Sequence, residues 1–441
     1  MWGCFIVYDF IVSDLQSLIN NKKDIYVLEE NRFIKNRKMS FNDSVFYLLG
    51  NKGKTSALEL KEFNELINGE LTMPPSKQNW SQQRTYISPL IFKDSNKISM
   101  TRIYSEGLDE LETFKGLLVF AIDGSQFNIP NTPTTHEEFE VDLKAFKKNE
   151  SPKARVSVLS DVKNHFIIDS TIQPFKYTEE ILATENIENA KEIIDFSKSI
   201  IIFDRYYAST ELIMQLLERN AYFIFRLKKD TYKNERNKMK TADEFIDINI
   251  NANRTQNIKN KDLKQKTKEI GHLHLRITDV ELENGEIESL LTNLPKEIAF
   301  ANELKELYGQ RWEIEKTYDV LKNKLHIENF TGKRKITIEQ DFYSEILMYN
   351  TLIGYRTEAN RKLPENKKKD YKIDTNILAG TLKNDLIKIV YTEDKEKRLK
   401  LEDIIYKTAI RNLIPIKEKK KTERKPKKPK KLYPFNNRKN F

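Results

Sequence analysis

The chain has 441 residues but a single cysteine, Cys4, and only five histidines, scattered along its length. A lone thiol excludes an intrachain disulfide and any multi-cysteine zinc site, and histidines so spread make no ligand cluster. No apolar run approaches the roughly 18 residues that a membrane-spanning helix requires. The opening MWGCFIVYDFIVSDL lacks a basic segment leading into a long apolar one, so it does not read as a secretory signal. These absences point to the cytosol and to no membrane partner. Cys4 itself reads as a small apolar residue in a strand-like start.

Charge is plentiful: 32% of residues are charged and the formal net charge is +10. Its placement is uneven. Residues 417–441 hold twelve Lys or Arg against two Glu, which leaves residues 1–416 formally neutral. Any basic face on the body is therefore offset by an acidic one. The tail, KKKTERKPKKPKKLYPFNNRK, has too little apolar content to build a core and is expected to be disordered alone. Its prolines favour an extended path, and its charge suits auxiliary, salt-sensitive contact with DNA.

The length allows two or three domains. Residues 1–37 read as an irregular, charged segment. Residues 38–110 read as a helical DNA-binding or accessory region: FNDSVFYLL ends at Gly50, TSALELKEFNELIN follows, and Pro74-Pro75 precede a helix that Ser76 or Asn79 could cap. From 111 to 228 apolar runs alternate with helical periods: LLVFAIDG, ARVSVLSD, NHFIIDSTI, then a helix, IIIFDRYY, a helix, and YFIFRLK. That order predicts a mixed α/β sheet with helices on its faces. Residues 229–300 read as a β-rich insertion, 301–360 as the second part of the core, and 361–416 as a C-terminal helical region.

Asp123 follows six apolar residues and Asp204 follows IIIF. In open α/β sheets functional groups gather where strands end. Two carboxylates at neighbouring strand ends repel each other unless a cation lies between them, and a divalent metal supplies one. Asp161 and Asp169 also end strand-like runs and compete for the same part. Downstream, YGQRWEIEKTYDVLK spaces Tyr308, Arg311, Glu315 and Lys322 by three, four and seven residues. On one regular helix these fall within about 60° of each other. The stripe combines a hydroxyl, a carboxylate fit for a metal, and cations fit for phosphate. Leu307, Ile314, Tyr318, Leu321 and Leu325 would line the adjoining apolar face. Asp319 rivals Glu315 locally, whereas Glu313 points to the far side. A solvated amphipathic helix with surface ion pairs would show the same periodicity.

These residues resemble the DDE transposases of bacterial insertion sequences, in particular the group with a Tyr-Arg-Glu-Lys signature. Tyr308, Arg311, Glu315 and Lys322 match its spacing, Asp123 in FAIDGSQF matches the first acidic motif, and Asp204 in IIFDRYYAS the second. Tyr206 stands where a small residue is usual. The resemblance spans roughly residues 38–415. It implies a ribonuclease-H-like catalytic core with a β-rich insertion, for which the 111-residue gap from Asp204 to Glu315 leaves room. It implies cut-and-paste transposition through a hairpin intermediate, with Asp123, Asp204 and Glu315 holding two Mg²⁺ ions, for which Mn²⁺ can substitute. Tyr308, Arg311 and Lys322 would position phosphates. The partners would be double-stranded DNA, both as terminal inverted repeats and as target, and a second copy of the chain within the DNA complex. Arg205, Arg226 and Lys228 are candidate DNA contacts, and Trp312 a candidate base-stacking residue. Ser125 has no nearby histidine base and is a poor nucleophile. A transposase-derived DNA-binding protein with impaired catalysis and a stand-alone nuclease of the same core are the alternatives.

Overall fold

The computed structural model describes residues 7–34, 38–106, 110–141, 151–282 and 285–416. Cys4 and the tail 417–441 lie outside them. The chain forms two compact units, one comprising Met1–Ser99, Phe127–Ala154 and Asp319–Phe441, the other Met100–Gln126 and Arg155–Tyr318. Among the described residues no helix is long and apolar enough to cross a membrane.

The first unit is helical. Its centre is the helix Lys335–Arg361, whose residues from Thr337 to Tyr355 are mostly buried. Helices Val7–Tyr26, Phe41–Leu49, Thr375–Val390 and Lys395–Arg411 pack against it. The expected irregular start is thus a 20-residue helix from residue 7, bent at Lys22. Ile11, Leu15, Leu18 and Ile19 recur at helical spacing and are buried, which is what fixes it. Ser76, rather than Asn79, caps the helix Lys77–Gln83, by accepting the Asn79 N–H. Arg84 and Asp341, both buried, pair at 2.7 Å, and Gln340 Oε1 accepts from Arg84 Nε at 2.9 Å. Each buried charge therefore has its partner.

The second unit is built on one eight-stranded sheet. Its strands are β1 (Leu118–Asn128), β2 (Lys153–Asp161), β3 (Ile167–Pro174), β4 (Ser199–Phe203), β5 (Tyr222–Arg226), β6 (Asp243–Asn249), β7 (His272–Glu281) and β8 (Ile287–Thr292), in the order 3-2-1-4-5-8-7-6. All five residues of β4 and the first five of β1 are buried. Strands covered on both faces read as continuous apolar runs, and parallel strands need helical crossovers such as Thr210–Glu218, between β4 and β5. β1, β4 and β5 are parallel. The order 3-2-1-4-5 with this parallel centre is the ribonuclease-H-like arrangement, preceded in the chain by the helical region. β8, β7 and β6 continue the sheet antiparallel. The polar stretch 229–270, at the start of the expected β-rich insertion, contains the strand β6 and also a helix, Lys261–Ile270. β6 is held by a fully buried arginine on β7: Arg276 Nε and Nη2 reach the two Asp243 oxygens at 2.6 and 2.8 Å, and Nη1 reaches Ala299 O at 2.7 Å.

Candidate active site at the strand ends

Strand register places the first two acids side by side. Ile122 on β1 pairs with Phe203 on β4, and Phe203 pairs with Phe225 on β5. One residue further on, Asp123, Asp204 and Arg226 form a row across three parallel strands. Adjacent strands lie about 4.8 Å apart. The Phe203 and Phe225 rings stack at 4.5 Å on the face opposite this row. Each aspartate accepts from the backbone of the next residue: Asp123 Oδ1 takes the Gly124 N–H at 2.9 Å within β1, and Asp204 Oδ1 the Arg205 N–H at 2.7 Å.

The signature residues meet this row through a broken helix. The expected regular helix across 308–325 is instead a helix Ala301–Gly309, a turn at residues 310–311, a helix Trp312–Asp319, and a π-helical turn Val320–Lys324. Gly309 is a poor helix former, and the Arg311 N–H bonds Tyr308 O, three residues back, which tightens the turn. In the π turn the Leu325 N–H reaches back to Val320 O. The single-stripe geometry is therefore corrected, yet Tyr308, Arg311 and Glu315 still converge. Tyr308 Oη donates to Asp204 Oδ1 at 3.4 Å. Arg311 Nη2 donates to Glu315 Oε1 at 3.2 Å, and Nη1 lies 3.9 Å from Asp123 Oδ2. Lys322 belongs to the other unit, where its ammonium lies 4.6 Å from the centre of the Phe127 ring. Burial lowers its pKa and nearby Glu328 partly offsets this.

Crowding of negative charge shapes the electrostatics. Burial pushes the Asp123 carboxyl up to about 7; the Gly124 N–H and Arg311 pull it down, and the charges of Glu179 and Asp204 add to the rise. Burial disfavours the charge on Arg311, but Tyr308, Asp204, Asp123 and Glu315 outweigh it and strengthen its hold on the proton. Burial and the nearby acids Asp204 and Glu288, against Arg311 and Arg226, take Tyr308 up to about 12. The Arg311 guanidinium thus supplies the cation among these acids. Two buried polar atoms here, Tyr207 Oη and Arg311 Nε, make no hydrogen bond among the described residues. Among the described residues no three carboxylate, imidazole or thiolate groups are gathered closely enough to hold a metal ion.

The rival acids are engaged elsewhere. Asp161, fully buried, accepts from the Lys163 and Asn164 N–H groups at 2.9 Å each and from Tyr104 Oη at 2.7 Å. Asp169 accepts from Asn186 and Asn189. Asp319 takes the Asn323 amide at 2.7 Å, and Glu313 pairs with Lys316. Of the candidate DNA contacts, Arg226 pairs with Glu288 at 2.9 Å. Arg205 and Lys228 flank the ring of Tyr206. Trp312 is half exposed, its ring 5.7 Å from the Arg311 guanidinium.

Sequence reasoning passed over three neighbours. Glu179 opens the helix Glu179–Ala190, pairs with Arg155 at 2.9 Å, and packs over Gly124 so closely that a Cβ there would lie 2.6 Å from its Cγ. Gly124 thus marks a close approach and was the one sequence signal for it. Tyr318 donates to the Asp123 carbonyl at 2.8 Å, and Tyr207 lies buried beside the acids; both had looked like ordinary aromatic residues.

Asp123, within β1 just past its last pairing with β4, and Asp204, just past the end of β4, stand on neighbouring parallel strands with Tyr308, Arg311 and Glu315 against them. Residues 115–351 match the family described as "Transposase DDE domain", and the chain belongs to that family. It is 24% identical over 247 residues to the "Transposase InsG for insertion sequence element IS4" of Escherichia coli (strain K12), covering 55% of this chain and 52% of that protein. It is 26% identical over 111 residues to the "Putative transposase InsZ" of the same organism, covering 25% of this chain and 36% of that protein. The chain thus spans about half, and about a third, of the lengths of these relatives. A chain in the piggyBac transposase synaptic complex with hairpin DNA superposes with a TM-score of 0.41 at 11% identity, covering 92% of this chain and 85% of that one.

Proposed function

We propose that this chain is a DNA-binding protein of transposase descent whose acidic site is closed on its own arginine, so that cleavage is impaired. The observation that carries this is the Arg311 guanidinium, 3.2 Å from Glu315 and 3.9 Å from Asp123, which already supplies a counter-charge to these acids. DNA would be held by phosphate contacts from Arg205 and Lys228 and by the basic tail, with affinity that falls as salt rises.

A second reading, an active cut-and-paste transposase of the Tyr-Arg-Glu-Lys group, is favoured by the in-register pairing that sets Asp123 beside Asp204 and by the intact signature spacing. The donor set suits Mg²⁺ or Mn²⁺: three carboxylates are hard oxygen ligands. Asp123, Asp204 and Glu315 would hold two such ions, which when bound polarise a phosphodiester and activate water. For this, Arg311 must leave the acids and turn to phosphate, with Tyr308 and Lys322 positioning the DNA end. The partners would then be terminal inverted repeats, target DNA and a second copy of the chain in a bacterial cytoplasm.

A cleavage assay on labelled duplex DNA with Mg²⁺ or Mn²⁺ separates the two. Impaired catalysis predicts that wild type and Asp123→Asn, Asp204→Asn and Glu315→Gln variants all bind DNA and leave it equally intact. Wild-type cleavage lost in each variant would instead establish the active enzyme. Strand transfer from a precut end would then distinguish a transposase from a stand-alone nuclease.

A further inference from the structure

Tyr206 lies within the turn that Asp204 opens, closed by the Tyr207 N–H on Asp204 O at 3.1 Å, and its side chain is turned outward. It is 62% exposed, whereas its neighbour Tyr207 is 1% exposed. The Arg205 guanidinium lies 5.3 Å and the Lys228 ammonium 4.6 Å from its ring centre. Arg205 and Lys228 are themselves exposed, and among the described residues neither has an ion-pair partner. Arg226, the cation nearest them along the sheet, is by contrast committed to Glu288. An outward aromatic in contact with two such cations, two residues from an acid of the candidate site, presents a flat apolar surface edged by positive charge.

We infer that Tyr206 is a stacking platform for an unpaired DNA base, with Arg205 and Lys228 taking the phosphates on either side of that nucleotide. The inference rests on the DNA-binding reading above and adds a single-strand preference to it. Proteins that hold unpaired strands combine cations along the backbone with aromatic rings for the bases. Stacking of a base on an aromatic ring is stronger than an exposed cation–π contact, so a base displaces Lys228 from the ring. The freed ammonium then gains a phosphate. Stacking tolerates every base, so the site reads strand opening and not sequence.

The test uses the full chain in EDTA with a 20-nucleotide single strand containing 2-aminopurine, and with its duplex, followed by anisotropy and 2-aminopurine fluorescence. Tyr206→Ala should weaken single-strand binding by about five- to 150-fold. It should weaken duplex binding at least fivefold less, and abolish the 2-aminopurine quenching. Tyr206→Phe, which keeps the ring, should behave as wild type and shows that the fold tolerates substitution here. Wild-type single-strand affinity in Tyr206→Ala, or equal losses in the Ala and Phe variants, would overturn the platform while leaving DNA binding intact. Failure of the wild-type chain to bind either probe would overturn the platform and the DNA-binding reading together.

Discussion

Replacing Asp123 by Asn should make the metal-free protein more stable at alkaline pH and alter it little in acid. In the folded chain the Asp123 carboxyl is raised from 3.8 to about 7, chiefly by burial. Between these values the folded state keeps a proton that the unfolded chain has released, so stability contributed by this group is full below pH 4 and is lost as pH rises through about 7. Three pH units at about 1.4 kcal/mol each set the loss at roughly 4 kcal/mol. Asn has no proton to lose, and its amide oxygen can still accept the Gly124 N–H. Urea unfolding in EDTA, followed by circular dichroism, should give wild-type and variant curves that nearly coincide at about pH 3.5. By pH 8 the variant should be more stable by about 2–4 kcal/mol. Curves that differ by the same amount at both pH values would refute the proposal that Asp123 is crowded by burial and neighbouring charge.

Three other substitutions probe the same structure. Arg311→Met removes the cation among the acids and should cost about 2–3 kcal/mol at pH 8, discounted for the exposure of Glu315, and less at pH 5, where Asp123 holds its proton; urea midpoints at the two pH values check it. Gly124→Ala brings a Cβ against Glu179 Cγ, forces that side chain away from Arg155, and should cost about 1–3 kcal/mol in thermal or urea unfolding. Asp243→Ala leaves the fully buried Arg276 unpaired and should cost about 3–5 kcal/mol, read as a lower urea midpoint.

The two acids were legible because runs such as LLVFAI and IIIF have no stable place except a buried strand, so the first polar residue after each stands out; β4 does end there, whereas β1, expected to end at Asp123, runs on to Asn128. Their adjacency was not legible: register depends on how β1 and β4 slide past each other, and no local pattern records it. The break at residues 310–311 was hidden because the apolar spacing carries across Gly309 as if the helix continued. β6 was hidden for another reason. Its residues carry little continuous apolar pattern, and the counter-charge of Asp243 is the buried Arg276 on β7, 33 residues away in the chain. Glu179 reaches Asp123 only through tertiary packing, and Gly124 was the sole local sign of that approach.

The central claim is that the chain engages DNA through its own cations and needs no metal to do so. The direct measurement is anisotropy of a labelled duplex titrated with the full chain in EDTA at several salt concentrations. We predict saturable binding whose logarithmic association constant falls linearly with the logarithm of salt concentration. No binding at low salt in EDTA, with binding appearing only on addition of Mg²⁺ or Mn²⁺, would contradict the claim.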